Sequence, residues 1–143
     1  MNYYKFFAGF FLGSLIILAF QPFNLWALAF LIPGLLYQLI KSESIKNTFF
    51  ISYFFGFGLW AFGIFWIEKS ITVYGGASPL LGSFLTLLLA AFLSLFQAVS
   101  FSLFSLVTNQ RKNYEVFLLF PAAWVLSEWL REFLFTGFPW LYI

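Results

Sequence analysis

The chain has 143 residues, 63% of them hydrophobic, 26% aromatic and 8% charged, with a formal net charge of +2. A soluble domain carries about 25% charged residues, so the deficit excludes a soluble globular protein and makes the chain an integral membrane protein. Cysteine and histidine are both absent, which removes disulfides, thiolate metal sites, a cysteine nucleophile and the commonest general base from these residues.

The first apolar run, 6–20, follows Lys5. A signal peptide would show the same charged start and apolar middle. No A-x-A-like cleavage site follows, and Gln21-Pro22-Phe23-Asn24 leads straight into another apolar run, so a retained first helix is expected. Gly9 and Gly13 form a GxxxG, a spacing that lets helices approach closely.

The second expected span is 23–40, with Pro33-Gly34 inside it, where a kink is expected. A short polar loop, 41–47, leads to the third span, 48–67, which contains Gly56, Gly58 and Gly63. G-x-G without a βαβ pattern does not indicate a nucleotide site; close helix packing is the expected role. A loop is expected over 70–79, with Gly75-Gly76 as its turn.

The fourth span, 80–107, is longer than a bilayer requires. Its Ser83, Thr86, Ala90, Ser94 and Gln97 recur near helical spacing and are expected to face other helices. A transport pathway is the sharper alternative for that stripe, with Gln97 its only sizeable polar group. The fifth span, 116–135, follows the polar stretch that holds Arg111 and Lys112. The expected fold is therefore all-α: a single polytopic helix bundle over 1–143 with about five transmembrane helices.

With a cytoplasmic N-terminus, the inner side holds Lys5, Lys41, Lys46, Arg111 and Lys112, and the outer side Lys69 and Arg131. That asymmetry follows the positive-inside bias. The charge belongs to membrane topology; no basic cluster is long enough for nucleic acid.

The fifth span carries the charges that matter. Trp124, Glu128 and Arg131 fall at i, i+4 and i+7, one face of a helix. Helix rise puts Glu128 roughly 18 Å and Arg131 roughly 22 Å along from Val116, past the middle of a hydrocarbon core about 30 Å thick. Charges at that depth face a protein interior or a wet cavity and often mark function. An ion pair that only fixes helix packing is the plainer account, since partners at this spacing satisfy each other. Trp124, near the bilayer middle, needs a partner for its indole N–H, and Glu128 one turn away is the candidate. Gly137, Phe138, Pro139 and Trp140 follow as a turn, with Trp140 at the outer interface.

This segment, PAAWVLSEWLREFLFTGFPW from Pro121 to Trp140, resembles the signature of apolipoprotein N-acyltransferases. Pro121, Ala122, Trp124, Glu128, Trp129, Arg131, Thr136, Gly137, Phe138, Pro139 and Trp140 match the family pattern. Gln21 to Asn24, and Trp66 through Ser70-Ile71 to Tyr74-Gly75-Gly76, are similar to it as well. Glu132 departs: the family commonly has a small residue there.

The resemblance implies a multi-pass protein of the bacterial inner membrane. Its reaction moves an acyl chain from a phospholipid donor to the amino group of a diacylglyceryl apolipoprotein acceptor, with no cofactor and no metal. It further implies that the catalytic Glu, Lys and Cys belong to a nitrilase-like domain outside this chain. None of its own residues is then catalytic, and alone it is expected to be inactive. Trp124, Glu128, Arg131, Gly137, Phe138, Pro139 and Trp140 become candidates for contacting substrate or that domain. A small non-catalytic scaffold or transporter component is the alternative.

Overall fold

The structure, a computed structural model, describes residues 3–108, 118–133 and 141. Among them are six α-helices and no strand: α1 Tyr3–Ile16, α2 Leu28–Ile40, α3 Ile45–Gly63, α4 Trp66–Lys69, α5 Pro79–Val107 and α6 Phe120–Phe133. The all-α expectation holds.

α3 is the centre of the bundle: α1 packs on it from one side and α5 from another, while α6 lies on α5. Glycine sets these distances. A Cβ on Gly13 would collide with the Phe55 carbonyl oxygen of α3, and one on Gly58 with the Phe10 carbonyl oxygen of α1. The GxxxG of α1 and its counterpart on α3 thus bring two helices together backbone to backbone, as small residues do in membrane bundles. On the opposite side, a Cβ on Gly56 would lie 3.0 Å from the Ser94 Cα of α5.

Helix starts lie upstream of the expected limits where a cap is available. Ser44 Oγ accepts from the Asn47 N–H at 3.3 Å and opens α3; Ser78 Oγ accepts from the Leu81 N–H at 3.3 Å, with Pro79 in the first turn of α5. A serine cap satisfies one of the orphan donors that every helix start leaves.

Three expectations need correction. The stretch 23–27 is not helical: the backbone turns there, Asn24 with φ 54°, and the Leu25 N–H donates to the Leu18 carbonyl. The third span is not continuous: α3 ends at Gly63, and the chain resumes at Trp66 with the direction changed by 47°. Ser70–Tyr74, expected as loop, is a π-helical turn that continues α4, closed by the Gly75 N–H on the Ser70 carbonyl. Apolar composition carries no sign of these bends, because a bend inside an apolar bundle needs the same side chains as a helix.

α5, with 29 residues, is long and apolar enough to cross a membrane by itself, and the bent α3–α4 pair passes the same test as one unit. α1 with its 3₁₀ turn Ile17–Ala19, and α2, which runs through Pro33, are shorter apolar helices.

The phenylalanines have two roles. Inside, Phe101 stacks on Phe120 with centroids 5.1 Å apart, and Phe55 and Phe101 each lie 5.8 Å from Trp124. Outside, Phe30 is 75% exposed and Leu80 83%, and Phe7 and Phe133 stand out on two further helices. Large apolar side chains exposed on several helices in this way suit an apolar surrounding or an interface.

Candidate functional site

The site is built where α3, α5 and α6 meet. On α6, Trp124 is buried and Glu128 half-buried, and the Trp124 Nε1–H donates to Glu128 Oε1 at 3.1 Å. The partner expected for this indole is the one it has. One turn further on, Arg131 is only 2% exposed, so its guanidinium is an interior group. Its Cζ stands 4.6 Å from the centroid of the Trp60 ring, contributed by α3. Trp60 is itself fully enclosed, and its Nε1–H donates to Gln97 Oε1 of α5 at 3.2 Å. An Arg over an indole face gains a cation–π attraction that grows as water is excluded.

The helical face predicted to hold Trp124, Glu128 and Arg131 is therefore the buried face of α6. Glu132 lies outside it, exposed. Gly137, Phe138, Pro139 and Trp140 lie outside the described residues. Trp60 was missed by the sequence reading. The signal was available: an indole in mid-span needs a partner for its N–H as much as Trp124 does. Gln97, read as a packing residue, is 3% exposed and spends its carbonyl on Trp60, as the packing reading requires. Thr86, Ala90 and Ser94 on the same stripe are enclosed too.

Beside this cluster lies an apolar groove of about 500 Å³. Trp26, in the turn before α2, forms one wall with Phe30 and Pro33 of α2, and Pro121, Trp124 and Val125 of α6 form the other. Trp124 is shared: its ring lines the groove while its N–H is turned to Glu128. A groove of this size and lining suits an alkyl chain.

No group of three His, Cys, Asp or Glu side chains that would hold a metal occurs among the described residues. The arrangement offers a polar anchor beside an apolar slot rather than a nucleophile.

A second polar tie lies at the far end of the bundle. Lys5 Nζ of α1 donates to Glu43 Oε1 at 2.7 Å, and Asn47 Nδ2 donates to Glu43 Oε2 at 2.6 Å. These hydrogen bonds, that of Lys5 first, hold the Glu43 carboxyl below its ordinary value.

Among the described residues the unit is all-helical, with many apolar side chains outward, an arginine sunk between its helices and one helix long and apolar enough to cross a membrane, which defines the class: an apolar helical bundle. The chain belongs to the apolipoprotein N-acyltransferase family, since the family model described as the apolipoprotein N-acyltransferase N-terminal domain matches residues 12–143. It is similar to the apolipoprotein N-acyltransferase of Vibrio cholerae, 35% identical over 134 residues that make up 93% of this chain and 26% of that protein. The Coxiella burnetii protein of the same name is 39% identical over 132 residues, 92% of this chain and 27% of its own length. The Pseudomonas putida one is 39% identical over 132 residues, 91% and 26%. The chain thus spans about a quarter of the length of these relatives.

Proposed function

We propose that this chain is the membrane-embedded, lipid-delivering part of an apolipoprotein N-acyltransferase. In the reaction that the family name implies, an acyl chain leaves a phospholipid ester and ends as an amide on the N-terminal diacylglyceryl-cysteine of a lipoprotein. The covalent steps pass through a thioester on a cysteine of the enzyme. This chain has no cysteine, so its own share is to bring lipid to the chemistry, and alone it is inactive.

The observation that carries the reading is the apolar groove whose inner wall, Trp124, is hydrogen-bonded to the half-buried Glu128. An acyl chain fits the slot, and a polar head reaches the level of the Glu128–Arg131 face; Gly137, Phe138, Pro139 and Trp140 remain candidates for contacting substrate or the catalytic domain from the sequence alone. Arg131 is a forked donor of the kind that suits phosphate, and the opening of that face to a head group is part of the proposal.

The chain crosses the inner membrane five times with its N-terminus in the cytoplasm, α1 and α2 being short crossings and the α3–α4 pair a bent one. The apolar exterior and the placement of Lys and Arg support this topology. The test is a chimera in which this chain replaces the matching quarter of the Vibrio cholerae relative. Rescue of lipoprotein N-acylation by the chimera, lost with Glu128→Gln or Arg131→Gln at full expression, supports the reading. Normal turnover in both variants ends the functional role of that face. Rescue by the 143 residues alone refutes the division of labour.

A further inference from the structure

Three hydroxyls of the bundle are out of place. Thr48 and Ser52 of α3 and Ser100 of α5 are each 0% exposed, and their oxygens find no hydrogen-bond partner among the described residues. Other buried hydroxyls are provided for: Thr86 donates to the Gly82 carbonyl and Ser94 to the Ala90 carbonyl, each one turn back. A hydroxyl left dry and unpaired costs a large part of its hydration. Three in one seam need a common explanation.

Their register supplies one. Thr48, Ser52 and Gly56 succeed one another at a four-residue spacing and form one stripe along α3. Gly56 lies close against α5, its missing Cβ 3.0 Å from Ser94 Cα and 3.1 Å from Gln97 Oε1. The two helices run antiparallel, because the turn after α4 packs at the start of α5, Thr72 against Gly82. One turn back from Gly56 on α3 therefore meets one turn onward from Gln97 on α5, which sets Ser52 at the level of Ser100. Ser52 and Ser100 both carry small side chains ending in a hydroxyl.

We propose that this seam is a water site: one or more ordered water molecules held between α3 and α5 by the hydroxyls of Ser52 and Ser100, with Thr48 one turn further along. A buried water takes about three hydrogen bonds from polar groups that otherwise have none. Here it receives hydroxyl partners from two helices that share no direct side-chain bond at that level. The seam is separate from the acyl groove, which lies between α2 and α6, so the site stands whether or not lipid delivery is the chain's function.

The experiment is radiolytic hydroxyl-radical labelling of the full chain in detergent and in ¹⁸O water, read by mass spectrometry. Phe101, next to Ser100 and fully enclosed, takes up ¹⁸O within milliseconds if water sits beside it. Ile51, equally enclosed but turned to α1 at Gly9, stays unlabelled. An unlabelled Phe101 alongside labelled exposed phenylalanines overturns the proposal. Substitution gives a second reading of opposite signs. With water bound, Ser52→Ala and Ser100→Ala lower the ratio of folded to unfolded chain about fivefold, since the water loses a partner. With dry hydroxyls the same changes raise that ratio, and a rise in both overturns the site.

Discussion

The guanidinium carbon of Arg131, on α6, lies 4.6 Å from the centre of the Trp60 ring, on α3. The contact ties the candidate face of α6 to the central helix, and through the Trp60–Gln97 hydrogen bond to α5. A charge that has given up its hydration is held by an aromatic face that is itself held in one orientation.

Trp60→Phe keeps an aromatic face but leaves Gln97 Oε1 without its donor, and is expected to cost about 1–3 kcal/mol. Trp60→Ala also opens a cavity and removes the cation–π contact, and is expected to cost about 3–5 kcal/mol. Thermal unfolding in detergent measures both. Equal losses would mean that the ring face contributes nothing.

The glycines of the bundle differ in what surrounds them, and their alanine variants follow. Gly58→Ala meets the Phe10 carbonyl of α1 and is expected to destabilise by about 1–3 kcal/mol through overpacking. Gly34→Ala, with nothing within 4 Å of the added Cβ, is expected to be neutral or to stabilise by up to about 1 kcal/mol through helix propensity. The same unfolding assay checks the pair, and a reversed order would contradict the α1–α3 contact.

The Lys5–Glu43 tie gives a pH dependence with a definite sign. The folded-state carboxyl of Glu43 lies below its ordinary value of 4.5. Its contribution is therefore complete above pH 4.5 and is lost as pH falls through the depressed folded value. The chain is expected to lose stability on acidification in that window, by about 1 kcal/mol for a partly buried pair of this kind. Glu43→Gln is expected to remove that component of the pH profile while leaving the neutral-pH slope unchanged.

Filling the apolar groove tests lipid delivery without touching the charges. Val125 is 62% exposed, so Val125→Trp folds while its ring occupies the slot beside Trp124. In the chimera, N-acylation is expected to fall about tenfold or more at normal expression. Unchanged N-acylation would dissociate the groove from the reaction.

How much of this was legible in the sequence follows from what each signal reports. The Trp124–Glu128 bond was legible because both residues lie on one helix, where spacing is geometry. The enclosed stripe on α5 was legible for the same reason. Trp60 under Arg131 was not, because that contact joins residues 71 positions apart, and no period within one helix encodes it. The break after Gly63 and the π-turn at Ser70–Tyr74 were hidden because hydropathy reports the surroundings of a side chain, not the path of its backbone. The start of α2 at Leu28 was misplaced for that reason too: Phe23, Leu25 and Trp26 are as apolar in a turn as in a helix.

The central claim is that these helices cross the membrane and present the Glu128–Arg131 face toward its outer side. Because the chain has no cysteine, a single Ala77→Cys or Ser42→Cys substitution makes an unambiguous reporter. Labelled with a membrane-impermeant maleimide in intact cells, Cys at 77, in the turn before α5, is expected to react at once, and Cys at 42, in the turn before α3, only after lysis. The reverse pattern, or labelling of both in intact cells, would contradict the account.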